Sequence, residues 1–375
     1  MSIRLDILWC SGDSTHRRDG AKRLSSTGPE LRARYPEGRL GTALTAANRT
    51  ADAGAPRPVA TPATLTIGTR GSLLALAQTT LIEAAIVAAN PGVQVARERI
   101  TTKGDLIIDR PLAAIDGKGL FVAEIEQALR DRRIDLAVHS AKDLPSDLPP
   151  DMALPVFPPR ADPHDVLISR FGGLDELPRG ARVGTSSPRR IAQLRALRPD
   201  LVLESMRGNV DTRLRTLDDG EFDAIVLAAA GLSRLGLSHR ATYVFSPEEM
   251  LPSVGQGALA LETRAADPDT WLMIASLNDA ATKTAVIAER AFLALVGGGC
   301  SVPVAAYAEV HAGVCPNIRL QGFIGSIDGA SVRASVTGPV DNPEALGRSL
   351  AESLLSEGGA RLLGRPSAAC GHERG

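Results

Sequence analysis

Ile67-Gly68-Thr69-Arg70-Gly71-Ser72 and Val183-Gly184-Thr185-Ser186-Ser187-Pro188-Arg189-Arg190 read as two copies of one device. In each, a short apolar strand runs into a turn and then into a helix opened by serine. The first follows a strand over residues 64–68 and leads into an Ala/Leu-rich helix over 72–89 that contains Leu-Ala-Gln. The second follows a strand over 181–185 and leads into a helix that contains Ile-Ala-Gln-Leu and stops before Pro199. Ser187 can cap the free N–H groups of that helix, and Pro188 suits its first position. Ile134-Asp135-Leu136-Ala137-Val138 and Phe222-Asp223-Ala224-Ile225-Val226 repeat a buried-strand pattern further along each copy. Alternating strand and helix signals indicate an α/β protein. The doubled openings predict two similar doubly wound α/β domains facing a cleft, with ligands at the carboxyl ends of the strands.

Working outward, Pro158-Pro159-Arg160-Ala161-Asp162-Pro163 reads as one interdomain crossing and Leu251-Pro252-Ser253-Val254-Gly255-Gln256-Gly257 as the return. The expected organisation is therefore an α/β domain over 64–160 plus 256–277 and a second over 161–255. A small α+β domain follows over 278–364, with a tail over 365–375. In that third domain we expect a helix over 284–296, the run Gly297-Gly298-Gly299-Cys300, strands over 302–310 and 318–324, and a helix over 343–355. Residues 119–132 carry apolar side chains at helical spacing, among them Phe121, Ile125 and Leu129.

Residues 1–63 read differently. They mix Arg, Ser, Thr, Ala, Gly and Pro without sustained periodicity and lack the apolar centre of a secretory signal. Asp6, Asp13, Asp19, Glu30 and Glu37 weaken an organelle-targeting reading, so a disordered extension is expected.

Composition narrows the function. The 375 residues carry a formal net charge of −1, and 3% are aromatic. Both values argue against a phosphate-backbone footprint or a base-stacking platform, so no nucleic-acid partner is expected. No apolar run approaches the roughly 20 residues that span a bilayer. Cys10, Cys300, Cys315 and Cys370 suit neither a disulfide framework nor a zinc site, which makes a reducing cytoplasm the simplest compartment. The histidines share no metal-ligand spacing, and no metal site is assigned.

Against that neutral background, arginines concentrate at turns. Arg70 stands in the first opening, Arg189 and Arg190 at the second, and Arg207-Gly208-Asn209-Val210-Asp211-Thr212-Arg213 adds two more. A helix N-terminus already favours anions through its free N–H groups, and guanidinium adds bidentate grip on carboxylates at any physiological pH. These residues point to a small polyanion, whereas Arg195, Arg198 and Arg215 read as a solvated helix face. His139-Ser140-Ala141-Lys142-Asp143-Leu144-Pro145 follows a buried strand and can present Lys142 and Asp143 to the cleft. Held ionised among arginines, Asp143 could stabilise a developing cation or pass a proton. Cys300 at the tip of three glycines could be a nucleophile, an attachment point or an inert buried thiol; it lacks a protease-like partner, which favours attachment.

Taken together, these motifs resemble the porphobilinogen deaminase (hydroxymethylbilane synthase) family from about Thr64 to Leu363. Gly-Lys-Gly-Leu-Phe from Gly117, Ala-Ala-Ala-Gly-Leu-Ser-Arg-Leu-Gly, Val-Gly-Gln-Gly-Ala and Gly-Gly-Gly-Cys-Ser-Val-Pro-Val join those already quoted, in the family's order. The resemblance implies a type II periplasmic-binding-protein-like arrangement of the two α/β domains. It also implies a dipyrromethane cofactor joined by thioether to Cys300. On that primer four porphobilinogen units would be condensed head to tail, each losing ammonia, before hydrolysis frees hydroxymethylbilane. Asp143 matches the family's catalytic aspartate. Arg70, Ser72, Asp105, Lys118, Ser140, Lys142, Thr185, Ser187, Arg189, Arg190, Arg207, Arg213 and Arg234 match positions that hold the cofactor and the growing chain, with Lys118 in a loop between Asp105 and Gly119 that covers the cleft. The family further implies a monomer that passes its product to uroporphyrinogen-III synthase. Ala114 departs from the pattern, where a Lys is common, and the extension has no counterpart. The alternative is a non-catalytic α/β cleft protein that binds a small polycarboxylate; it would need neither Cys300 on a glycine tip nor a third domain.

Overall fold

The computed structural model describes residues 4–10, 64–106, 122–297 and 302–364. Cys300, Lys118, Ala114, Phe121 and most of the loop expected between Asp105 and Gly119 lie outside the described residues.

Along the chain, β1 (Arg4–Cys10) precedes the first lobe, which opens with β2 (Thr64–Thr69), α1 (Leu73–Ala89) and β3 (Gln94–Arg99). It continues with α2 (Lys103–Leu106), α3 (Ala123–Arg130), β4 (Leu136–Ser140) and β5 (Met152–Val156). The second lobe holds β6 (Asp165–Ser169), β7 (Arg182–Gly184), α4 (Pro188–Leu197), β8 (Val202–Glu204) and α5 (Val210–Asp218). β9 (Ala224–Ala228), α6 (Ala229–Arg234) and β10 (Tyr243–Val244) complete it. The chain then returns through β11 (Leu259–Arg264) and α7 (Pro268–Ile274). Last come α8 (Ala280–Val296), β12 (Val304–His311), β13 (Asn317–Gly325), β14 (Ser331–Pro339) and α9 (Pro343–Leu354).

The two lobes share one topology. The first sheet has the order β3-β2-β4-β11-β5, the second β8-β7-β9-β6-β10. β2 and β7 each lie parallel to two neighbours, and one antiparallel strand sits beyond them in each sheet, β11 beside β4 and β6 beside β9. That antiparallel strand comes from a crossing: β6 just after the outward one, β11 just after the return. The repeated openings and buried strands of the sequence thus occupy equivalent places, as expected of two similar doubly wound α/β units. Apolar runs explain why the strands are central: Leu65, Ile67, Leu136 and Leu261 share one buried cluster, and Val183, Leu194, Ala224 and Val226 another.

The crossings run side by side, with Ala161 N donating to Gly257 O at 3.2 Å. Gly257 has φ +85°, and a Cβ there would fall 2.3 Å from Ala161 O, so only glycine lets the two strands pass.

The third unit is an antiparallel sheet, β1-β14-β13-β12, with α8 and α9 packed on it around Phe292, Leu320 and Leu350. Here the structure differs from expectation in three places. β14 was absent from the sequence reading. α8 starts four residues early because the Asp279 side chain accepts from Thr282 N at 2.7 Å. Most notably, Arg4–Cys10, read as part of a disordered extension, forms a strand in register with Ser331–Thr337. Leu5, Ile7 and Trp9 alternate with other residues over too short a span to be told from chance, and the pairing edge of β14 exists only once the third sheet has formed.

Candidate active site

The lobes enclose a cavity of about 220 Å³ at the carboxyl ends of their parallel strands. Its wall brings together eight residues singled out in the sequence: Arg70, Ser72, Ser140, Lys142, Asp143, Arg190, Arg213 and Arg234. Five cationic side chains therefore face two carboxylates, Asp143 and Asp211.

Local folding explains the convergence. Ser72 caps α1, its Oγ accepting from Ala75 N at 3.2 Å, and Ser187 caps α4, its Oγ accepting from Arg190 N at 3.4 Å. Both helices thus turn their N-terminal dipole ends toward the strand ends. At the carboxyl end of the central strand β4, a single 3₁₀ turn, Ala141–Asp143, carries Lys142 and Asp143. Gly255, φ +69°, allows the return crossing to lie against that turn; a Cβ would sit 3.0 Å from Ala141 Cβ and 3.1 Å from Lys142 N.

The arginines divide into two classes. Arg70 forks onto Asp105, its Nε 3.2 Å from Oδ1, and Thr102 Oγ1 donates to the same carboxylate at 2.8 Å. Burial would raise the Asp105 carboxyl, but these bonds hold it below its ordinary range. Arg189 and Arg190 share Asp165, which is 0% exposed. Arg189 Nη1 donates to Oδ2 at 2.7 Å, and Arg190 Nη2 donates to Oδ1 at 2.7 Å. Arg189 also donates to Leu251 O at 2.8 Å, so its guanidinium serves the interior and the return crossing rather than the cavity.

Arg213 and Arg234 belong to the second class. Arg213 Nε donates to Gly208 O at 2.8 Å and Arg234 Nη2 to Gly257 O at 2.7 Å; neither has a carboxylate partner among the described residues. Burial, and for Arg213 the like charges of Arg190 and Arg207, pull each down to about 10. Lys142 is lowered too, chiefly by burial, with Asp143 opposing; its Nζ reaches Gln256 Oε1 at 3.4 Å. Among the described residues, Arg213 and Arg234 lack the counter-charge that a bound anion would supply.

Of the other expected residues, Thr185 is buried beneath Ser187, its Oγ1 accepting from Ser187 N at 3.3 Å. Arg207 is half-buried and adds to the field on Arg213. Neither lines the cavity, and Asp105, Ser187 and Arg189 stand behind it. His139 faces away, its Nε2 2.8 Å from Glu262 in the core. The sequence reading missed Gln78, 3% exposed, whose Nε2 donates to Ser140 Oγ at 2.8 Å. With that lone pair engaged, the Ser140 proton is free to point at a ligand. The Leu-Ala-Gln and Ile-Ala-Gln repeats were the available signal, since Gln78 and Gln193 stand at equivalent helix positions.

Residues 65–271 match the family model described as porphobilinogen deaminase, dipyromethane cofactor binding domain, and residues 283–356 the one described as porphobilinogen deaminase, C-terminal domain. Among curated proteins, porphobilinogen deaminase of Roseiflexus castenholzii is 58% identical over 300 residues, 80% of this chain and 98% of that one. Porphobilinogen deaminase of Syntrophotalea carbinolica is 50% identical over 301 residues, 80% of this chain and 95% of that one. Among solved structures, lipoprotein Tp32 from Treponema pallidum is similar over 57% of this chain and 90% of that one, at 15% identity and a TM-score of 0.38.

Proposed function

Because the chain belongs to the porphobilinogen deaminase family, we propose that it condenses four porphobilinogen molecules head to tail on a covalent dipyrromethane and releases hydroxymethylbilane by hydrolysis. The observation that carries this reading is the pair Arg213 and Arg234: half-buried guanidiniums without carboxylate partners among the described residues, across a cavity from Asp143. Each pyrrole of the substrate bears an acetate and a propionate, so a growing chain is a polyanion that such cations suit.

The donor set also fits the cofactor, whose side chains are the same carboxylates. Arg70, Ser72, Ser140, Lys142, Arg190, Arg213 and Arg234 would hold it, and Cys300 would anchor it by thioether. When bound, the dipyrromethane supplies the nucleophilic pyrrole carbon from which the chain grows. This chain's own residues bind, orient and move protons. Asp143 accepts pyrrole N–H groups, which concentrates negative charge beside a ring that becomes cationic as ammonia departs. The substrate's aminomethyl group, protonated as an ammonium, departs as neutral ammonia, and the Asp143 carboxylate takes the proton that the ring sheds after the new carbon–carbon bond forms. Arg213 and Arg234 pair with ring carboxylates, and Ser140, set by Gln78, donates its hydroxyl proton. We assign the protein to the cytoplasm as a monomer that hands its product to uroporphyrinogen-III synthase; sedimentation as a stable dimer would remove the monomer assignment.

The test is direct. Holo-protein supplied with porphobilinogen should release four ammonia molecules per hydroxymethylbilane, and the denatured protein should carry the mass of two pyrrole units, lost in Cys300→Ser. An unmodified mass from a porphobilinogen-competent host overturns the reading.

A further inference from the structure

α8 touches both halves of the chemistry assigned above. Val286, Glu289 and Arg290 lie at i, i+3 and i+4 and so share one face. Val286 packs in the same buried cluster as Ala141 and Leu144, the residues that bracket the turn carrying Asp143. Arg290 Nη2 donates to Pro145 O at 2.8 Å and to Ser146 O at 3.0 Å, the carbonyls two and three residues beyond Asp143. Glu289, 0% exposed, holds the hinge: it accepts from Arg160 Nη1 at 2.6 Å, Gly255 N at 2.6 Å and Ala308 N at 2.9 Å. The helix ends at Gly297, φ +66°, seven residues or about 10 Å of rise after Arg290. In the sequence, Gly298, Gly299 and Cys300 follow at once.

We propose that Arg290 is a positioning residue that ties the Asp143 turn to the helix leading to the primer's anchor, holding carboxylate and tethered ring in register. This rests on the roles given to Asp143 and Cys300 above. The physical need is plain. Asp143 is exposed on a single 3₁₀ turn, which by itself cannot fix a carboxylate to within an ångström. Pro145 lacks an N–H, so nearby carbonyls are the handles that remain for holding this stretch. The guanidinium is largely desolvated and lowered by burial, with the Asp147 and Glu262 carboxylates opposing from beyond ion-pair distance. Its direct hydrogen bonds nevertheless go to two neutral carbonyls, a bridging grip that suits the reach and planar fork of arginine and that lysine lacks.

Arg290→Met, Arg290→Lys and Asp143→Asn are compared as holo-proteins, with rates scaled to the pyrrole-modified fraction measured by mass. Arg290→Met should keep its adduct, lose roughly 10- to 100-fold in kcat and change KM little, because a small misplacement affects the chemical step rather than carboxylate binding. Arg290→Lys should recover part of the loss, and millimolar guanidinium ion should raise kcat in Arg290→Ala. A wild-type kcat per loaded site in Arg290→Met, or a loss in KM alone, overturns the proposal. If Asp143→Asn itself turns over at the wild-type rate, the site assignment fails as well; if Asp143→Asn is inactive while Arg290→Met is normal, only the proposal fails.

Discussion

Arg190 reaches Asp165 through Nε at 2.9 Å and Nη2 at 2.7 Å while still lining the interlobe cavity. Burial alone would raise the Asp165 carboxyl, but Arg189 and Arg190 more than reverse this and hold it far below its usual range. A depressed folded-state value means the pair stabilises fully above the unfolded carboxyl's pKa of about 3.9 and progressively less as the pH falls below it. Asp165→Asn, which leaves two buried cations facing an amide, should cost about 3–5 kcal/mol near neutral pH. Urea melts from pH 6 to 3 check both points: wild type should lose stability below about pH 4 more steeply than the variant. Parallel pH profiles would mean that Asp165 carries no such linkage.

Arg213 and Arg234 should behave in the opposite way. Arg213→Met and Arg234→Met each remove a half-buried cation without a carboxylate partner among the described residues, so Tm should hold or rise. Substrate KM should increase roughly 10- to 100-fold, the loss of a charge-assisted bond of about 1.5–3 kcal/mol. Arg189→Met should show the reverse split, because its guanidinium serves Asp165 and Leu251. Steady-state kinetics beside thermal melts distinguish the two classes; a falling Tm at constant KM for Arg213→Met would make that residue structural.

Asp143→Asn keeps shape but loses the charge. The variant should carry the covalent adduct and turn over roughly 100- to 10,000-fold more slowly, the usual worth of a positioned acid–base group. Single-turnover kinetics with mass detection of enzyme-bound intermediates measures this, and near-normal elongation would take the role from Asp143.

Ser187 separates capping from anion binding. Ser187→Ala should cost about 1 kcal/mol through loss of the α4 cap. Ser187→Asp should retain that stability, since aspartate caps equally well, yet raise KM by placing a negative charge beside the cationic wall. Equal KM values in all three proteins would put Ser187 outside the anion site.

Much of this was legible in the residues because it is local. Strand, turn and capped helix at Thr64–Ala89 and at 181–197 are short-range events, and Ser72, Ser187 and Pro188 act within one helical turn of themselves. Apolar runs marked β4 and β9 for the same reason. Seven-residue β1 was not legible, since a strand of that length is specified by its partner edge.

The amino-acid order alone determined two α/β lobes, a glycine-borne Cys300, a turn carrying Lys142 and Asp143, and a wealth of arginines at strand ends. Tertiary structure decided which arginines are spoken for. Asp165 lies 24 residues from Arg189, and Asp105 lies 35 from Arg70; no local pattern links either pair. Whether a guanidinium is available to a ligand depends on the carboxylate that folding brings beside it. That is a long-range electrostatic fact, and it separates Arg189 from Arg213 although both sit in the same basic stretch.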